Sequence, residues 1–230
     1  MNFNLIVPAA AHREEYGERL PRVFRLNTKG VPLCVEAVMG LDLQRFTDIC
    51  FTILRMHDER YGVAAMLRIQ LDRIGLQRAR IVTLDAPTTS QADTIIQTIE
   101  KEHLTGSVFI KDADSYFSAD ILPQNGIAVY PLERLSQVNP QHKSYVAVDD
   151  MQFVTNTIEK RVIDHYFNAG GYCFEDVQIF ETYYQRYRNQ QGLYLSHLVY
   201  AMLLDKKTFR PIIVEDYKDW GTQRDLNINE

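Results

Sequence analysis

Between residues 4 and 114, short apolar runs alternate with longer stretches of helical spacing, and this alternation limits the chain to few folds. NLIVPAAA (4–11) reads as a buried strand passing into a loop at proline and small residues. PLCVEAVMGL (32–41) has helical spacing and begins on proline, a favoured first helical position. DICFTILR (48–55) is a second strand, and YGVAAMLRIQLDRIG (61–75) an amphipathic helix closed by Gly75. ARIVTLD (79–85) is a third strand, and TTSQADTIIQTIEKEH (88–103) a further helix with Ser90 and Asp93 at capping spacing. GSVFIKDAD (106–114) is a fourth strand. Such alternation predicts a doubly wound α/β sheet, which takes its ligands beyond the carboxyl ends of its strands. The loops after residue 8, after residue 85 and around Asp112 and Asp114 are therefore where function is expected.

After about residue 125 the texture changes. GIAVYPLE, SYVAVDD and QFVTNTIEKR look like strands, the latter two forming a hairpin that turns near Asp149 and Asp150. FEDVQIFETYYQRYRNQ (174–190) and YLSHLVYAMLLDKK (194–207) are helices, and FRPIIVEDY (209–217) is a late strand leading into KDWGTQRDL. Without repeats, low-complexity tracts or Pro/Gly-rich linkers, the 230 residues read as one domain, 1–125 forming one half and 126–230 the other.

A net charge of -5 gives no polyanion-binding surface, which argues against nucleic acid as a partner. Basic residues do gather locally (Arg19, Arg22, Arg25; Arg73, Arg78, Arg80), a pattern suited to a small phosphorylated ligand. Cys34, Cys50 and Cys173 lack metal-ligand spacing and sit in apolar surroundings, so all are expected reduced and buried in a cytoplasmic protein. No window reaches membrane-spanning length, and no leader is evident. His12 and His197 are available as ligands or bases, but no HxxH or HxH spacing points to zinc. Neither GxSxG nor a full Walker A sequence occurs.

Four motifs carry chemistry, each with a plainer alternative. PAAAHREEYGERLPRVF follows the first strand; its backbone amides and arginines could cradle phosphates, or it could be a solvated loop. In KDAD, Asp112 and Asp114 could hold Mg²⁺, a hard cation that commonly uses one or two carboxylates plus substrate phosphates, or simply turn the strand end. DWGT (219–222) offers Asp219 as a second carboxylate, or is a turn over the chain's only tryptophan. IEKR (158–161) sets Glu159 beside Lys160 at a strand end, where the carboxylate could accept from ligand hydroxyls and the ammonium meet a phosphate, or the two could form an exposed ion pair. Adjacent strand residues face opposite ways, so a bend is needed if both are to reach one ligand.

Taken in order, these pieces resemble the nucleotidyltransferase family that activates sugar phosphates, phosphocholine and related phosphomonoesters, above all its small members from surface-polysaccharide gene sets. The resemblance runs through Pro8–Arg13, Pro21–Arg22, Thr89–Gln91, Asp114 with Ser115-Tyr116-Phe117, Glu159–Lys160, Gly170-Gly171-Tyr172 and Asp219-Trp220-Gly221-Thr222. It implies a Rossmann-like, GT-A-like mixed sheet whose first half binds nucleotide and whose second binds acceptor. It also implies Mg²⁺ on Asp114 and Asp219, with Asp112 close by. Pro8, Ala9, Ala10, Ala11, His12, Thr89, Ser90, Gln91 and Asp112 would then contact the nucleotide. Arg13, Arg22 and Lys160 would be catalytic, and Glu159, Lys160, Gly171 and Tyr172 would meet the acceptor.

Three departures stand out. The family loop's glycines are replaced by Ala9, Ala10, Ala11 and His12, its PK lysine by Arg22, and a base-loop glycine by Ser90. The expected reaction joins a nucleoside triphosphate, CTP favoured, to a phosphomonoester for surface-polysaccharide precursor synthesis, releasing pyrophosphate. The alternatives are a nucleotide-binding protein of the same fold with impaired turnover, and a metal-dependent glycosyltransferase using DAD. The Tyr-rich helix FETYYQRYRNQ could cover a partner surface in a homodimer.

Overall fold

The computed structural model describes residues 2–10, 19–135 and 143–220. Strands β1 (Phe3–Pro8), β2 (Asp48–Leu54), β3 (Arg80–Leu84) and β4 (Ser107–Lys111) pair in parallel, with β1 between β2 and β4. Their continuous apolar runs reflect burial on both faces. Ile6 aligns with Cys50 and Ile110, and all three join the core on one side of the sheet. Leu5 aligns with Ile49 and Phe109 and joins the other. A fully buried aliphatic or aromatic side chain contributes about 1.5–3 kcal/mol, so these two rows anchor the sheet.

Strand β5 (Ser115–Ser118) leaves the main sheet, whereas β6 (Gly126–Pro131), β7 (Ser144–Val148), β8 (Val154–Glu159) and β9 (Tyr166–Phe174) enter it. The last strands are β10 (Arg210–Ile213) and β11 (Glu215–Asp219). The long sheet runs β10-β6-β9-β4-β1-β2-β3, with β7 pairing to β9 and β8, and β11 pairs antiparallel to β5 as a small second sheet. Strands from both halves of the sequence thus share one mixed sheet. It is the α/β architecture that the alternation predicts.

Helices cover both faces. On one side lie α1 (Leu33–Glu36) and α3 (Val63–Arg73), and between them in sequence comes α2 (Arg55–Tyr61). On the other lie α4 (Gln91–Glu102), α5 (Val177–Tyr187) and α6 (Leu195–Leu204). Several elements differ from the sequence pattern. The expected helix at 32–41 is a single turn. Gly40 follows it so close to β5 that a Cβ there would lie 2.2 Å from the Phe117 carbonyl oxygen. The stretch 61–75 is preceded by an unexpected helix, because Gly62 at φ 64° ends α2 and starts α3. The late strand at 209–217 is two strands, β10 ending at Ile213 in the large sheet and β11 starting at Glu215 against β5, and Asp216 at φ 54° lies where the β11 register on β5 shifts. The sequence pattern marks neither β5 nor β9.

β9 runs antiparallel to both β4 and β6, and its pairing to β6 shifts register between Ile127 and Val129. Asn168 supports that irregularity: its Oδ1 accepts from the amides of Gly170 (2.6 Å) and Gly171 (3.2 Å). Gly170 has φ +92°, and a Cβ would lie 2.5 Å from Ser115 Oγ and 3.0 Å from the Asp112 carboxylate. Gly170→Ala should therefore cost both left-handed strain and a collision, about 2 kcal/mol or more. Gly30→Ala, at φ +74° in open space, should cost only the backbone part, about 1 kcal/mol. Urea unfolding of the two variants separates these, and equal losses would rule out the collision.

The α4 N-terminus is built as its sequence suggests, with one change of roles. Ser90 accepts from the Asp93 amide at 3.1 Å, but the Asp93 carboxylate reaches past Ser90 to the Thr89 amide (2.8 Å) and hydroxyl (3.0 Å). It also accepts from Gln97 (2.9 Å) and from the Tyr184 hydroxyl on α5 (3.2 Å). Partial burial alone would raise the Asp93 pKa; the donors outweigh it and hold the carboxyl below its ordinary value. A lowered folded-state pKa stabilises above the unfolded value, and the benefit is lost as pH falls through the folded one. Asp93→Ala should destabilise by about 1–2 kcal/mol at pH 7, with a smaller deficit at pH 3. Equal deficits at the two pH values would contradict the role of the charge.

Candidate active site

The parallel strands end at a common edge, and the β4 end is the most highly charged. β4 stops at Lys111, whose side chain turns inward and is wholly buried. Its ammonium donates to the Asp112 carbonyl (2.9 Å), the Ser115 carbonyl (2.8 Å) and Ser115 Oγ (2.8 Å), over the face of Phe117. Ser115 Oγ in turn donates to the Ala169 carbonyl of β9 (3.0 Å). Burial pulls the Lys111 pKa down to about 8, against the charges of Asp112, Asp114 and Asp219, which favour the ammonium. The DAD loop is thus wrapped around a lysine that fixes where its carboxylates project.

Asp219 reaches the same place from the other end of the chain. β11 pairs with β5 so that Asp219 lies opposite Ser115, and the Trp220 amide donates to the Asp114 carbonyl at 2.8 Å. Trp220 is buried against Leu33, Ala37 and Tyr116, which anchors this junction. Burial pushes the Asp114 carboxyl up to about 6, reinforced by Asp112 and Asp219 and opposed by Lys111 and Lys143. Lys143, just before β7, ion-pairs with Asp219, and its ammonium also donates to the Tyr217 hydroxyl at 2.6 Å. The aromatic faces of Phe167 and Tyr217 flank it, each 5.1 Å away.

The nucleotide-side residues divide. Pro8 ends β1; the Ala9 amide donates to the Thr52 carbonyl at 2.8 Å, and Ala10 packs against Leu54 and Leu84. The Ala9 amide is therefore taken by the sheet, and Ala10 by the core. Ala11, His12 and Arg13 lie outside the described residues, as do Gly221 and Thr222. Arg22 donates to the Trp220 carbonyl at 3.0 Å, which brings it to the DWGT segment. Thr89 and Ser90 form the cap of α4, and Gln91 on its first turn donates to Asp112, linking that loop to the carboxylates.

The second half faces the same edge. Glu159 ends β8 and accepts from the hydroxyls of Ser144 on β7 and Ser196 on α6. Lys160 follows at φ 59°, the bend that the alternation of a strand requires if neighbours are to turn the same way. Its side chain is exposed, with the ammonium 5.5 Å over the Tyr194 ring. Tyr172 is buried, and its hydroxyl is pushed well above its usual pKa by burial, then by Glu159 and Asp112. Its hydroxyl thus feels the acidic groups of both halves. Gly171 has another part: a Cβ there would lie 2.8 Å from both Ala128 and Phe109, so it admits the core packing beneath Asp112.

Lys111, Lys143, Ser144, Asn168 and Ser196 complete this arrangement. Only Lys111 leaves a trace in the sequence, as a charge interrupting the apolar run VFIKDAD. The three cysteines are buried and reduced, with thiols pushed up to about 12 chiefly by burial. No helix among the described residues is long and apolar enough to cross a membrane.

Among the described residues, no group of three or more His, Cys, Asp or Glu side chains is placed to hold a metal by itself. A pair of carboxylates suits Mg²⁺, which keeps several waters and completes its shell with substrate phosphates. The residues fit such an ion: Asp114 and Asp219 are hard oxygen donors brought to one junction by the Trp220 amide on the Asp114 carbonyl, and the Lys143 ammonium ion-pairs with Asp219.

No family model matches the chain, and no curated protein sequence matches it. Solved structures do. A nucleoside-diphosphate-sugar pyrophosphorylase from Vibrio cholerae RC9 superposes with a TM-score of 0.78 at 16% identity, over 98% of each chain. An inositol-1-phosphate CTP transferase from T. maritima gives 0.75 at 15% identity, over 97% of this chain and 91% of that one. A UDP-glucose pyrophosphorylase complexed with UDP-glucose gives 0.73 at 12% identity, over 98% and 96%. Across nearly its whole length, the chain has the fold of the sugar-phosphate nucleotidyltransferases.

Proposed function

We propose that this protein is a Mg²⁺-dependent nucleotidyltransferase that joins a nucleoside triphosphate to a small phosphomonoester such as a sugar phosphate. The observation that carries the reading is the junction of the Asp112–Asp114 loop with Asp219, set by the β5–β11 pairing and the Trp220 amide on the Asp114 carbonyl, with Arg22 and Gln91 alongside, at the end of β4 in a sheet of this fold. An oxygen of the acceptor phosphate attacks the α-phosphorus in line. The bond from that phosphorus to the β-bridging oxygen breaks, and pyrophosphate leaves with the electron pair. The nucleophile is ionised at neutral pH, so the site must suppress charge repulsion and align the reactants. Asp114 and Asp219 would hold Mg²⁺, which when bound neutralises phosphate charge. Asp112 is positioned by Gln91 and backed by Gly170, and Arg22 adds positive charge next to Trp220.

CTP is the favoured donor, in line with the resemblance to compact cytidylyltransferases, and the product would serve surface-polysaccharide synthesis in the cytoplasm. Glu159, Lys160 and Tyr172 would face the acceptor. A second reading, nucleotide binding without turnover, is favoured by Ala9 and Ala10, whose backbone is engaged by Thr52 and packed under Leu54 and Leu84.

The test is pyrophosphate release from each ribonucleoside triphosphate and dTTP with Mg²⁺ across a panel of phosphomonoesters. Turnover with one triphosphate is expected, falling about a thousand-fold or more in Asp114→Ala. Undiminished turnover in that variant would overturn the assignment of Asp114. Silence accompanied by Mg²⁺-dependent nucleotide binding in calorimetry would select the binding protein, and silence in both would remove the nucleotide reading.

A further inference from the structure

Two lysines lie at the open end of the β7–β8 hairpin, and they point to different places. The Lys160 amide donates to the Lys143 carbonyl at 2.8 Å, so their backbones are neighbours. Lys160 carries its ammonium out over Tyr194, next to the start of α6. Lys143 carries its ammonium in, to Asp219 and the Tyr217 hydroxyl, with only 14% of its side-chain surface exposed. Phe167 and Tyr217 flank it, and Tyr130 packs on both rings at centroid distances of 6.0 and 5.4 Å. This aromatic wall directs the lysine towards the aspartates.

We infer that Lys143 is the ammonium that meets substrate phosphates, and that its ion pair with Asp219 competes with a metal ion for that carboxylate. The inference rests on the proposed function and deepens it, because the resemblance gives the acceptor phosphate to Lys160. A divalent ion carries twice the charge of an ammonium in a smaller radius, so it displaces Lys143 from a carboxylate that both can bind. The four-carbon stem then lets the ammonium swing away from Asp219 and the Phe167 and Tyr217 faces, and a lysine serves phosphate as a mobile point charge. Metal entry and phosphate binding are thereby linked: the ion that claims Asp219 frees the lysine for the substrate. The groups facing Lys143 are Asp219 and Tyr217 on β11 and Phe167 on β9, with Asp114 near enough to feel its charge.

The experiment compares wild type, Lys143→Met and Lys160→Met, each first shown to be folded by thermal melting. Methionine is an unbranched apolar side chain of similar length that removes the charge. Mn²⁺ binding, read by the loss of its free EPR signal, needs no turnover. Lys143→Met should bind Mn²⁺ about ten-fold more tightly than wild type, as one competing charge is gone, and Lys160→Met should match wild type. With Mn²⁺ saturating, inorganic pyrophosphate should bind Lys143→Met at least ten-fold more weakly, while Lys160→Met binds it nearly as wild type does. Unchanged or weaker Mn²⁺ binding in Lys143→Met, or a pyrophosphate loss confined to Lys160→Met, overturns the inference. No Mn²⁺ binding by any of the three overturns it as well. If both binding results hold but no triphosphate is turned over, Lys143 keeps its place and the transferase reading alone fails.

Discussion

The buried ammonium of Lys111 is the contact on which the rest of the site depends. A β-strand that ended in Asp-Ala-Asp without it would splay its carboxylates into water. The lysine instead takes the carbonyls of Asp112 and Ser115 and the Ser115 hydroxyl, drawing the loop into a tight curl. Placing a charge in the interior is costly, and here the cost is offset by three oxygen acceptors, an aromatic face and the negative field of three aspartates. The arrangement is reciprocal. The lysine stays charged because the aspartates surround it, and the aspartates can crowd together because the lysine lies beneath them.

That curl has to fit against β9, where glycine is needed for space. Gly170 lets the Asp112 amide donate to its carbonyl at 2.8 Å, and Gly171 makes room for Phe109 and Phe117. Asn168 holds the irregular backbone by accepting both glycine amides. The same irregular strand carries Tyr172, whose hydroxyl feels the charges of both Glu159 and Asp112. One stretch of sequence, NAGGY, therefore fixes the back of the carboxylate loop and the boundary between the two halves of the site.

How much of this the sequence reveals follows from the kind of force involved. The four parallel strands are legible because burial on both faces leaves an uninterrupted apolar run. The helix of residues 91–102 is legible because its cap is local. β9 is hidden because YFNAGGYCF carries two glycines and an asparagine, residues that local propensity assigns to turns. Its strand state comes from lying between β4 and β6. RMHDERY conceals α2 for a similar reason, with charges all round and a left-handed glycine as its stop. In the site, Asp114 and Asp219 can be paired from motif order alone, across about a hundred residues, since each stands at a strand end. Lys143 cannot, because its importance comes from Tyr217 and Phe167 lying beside it, and QHKSYV says nothing of either.

A division of labour follows from this geometry. Asp112, Asp114 and the groups that set them come from the parallel-sheet half and its β9 backing, where backbone carbonyls and amides hold Lys111, Asp112 and Asp114. Glu159, Ser144 and Ser196 come from a hairpin and a helix joined here through side-chain hydrogen bonds. Both serine hydroxyls converge on one oxygen of Glu159, leaving its other oxygen without either. Exchanging a serine on α6 or on β7 would re-aim that carboxylate and leave the loop around Lys111 undisturbed. On the proposed reaction, the chemistry common to any acceptor would rest on the rigid half. Discrimination among acceptors would rest on the hairpin and α6, where a single side chain can change without moving the strands.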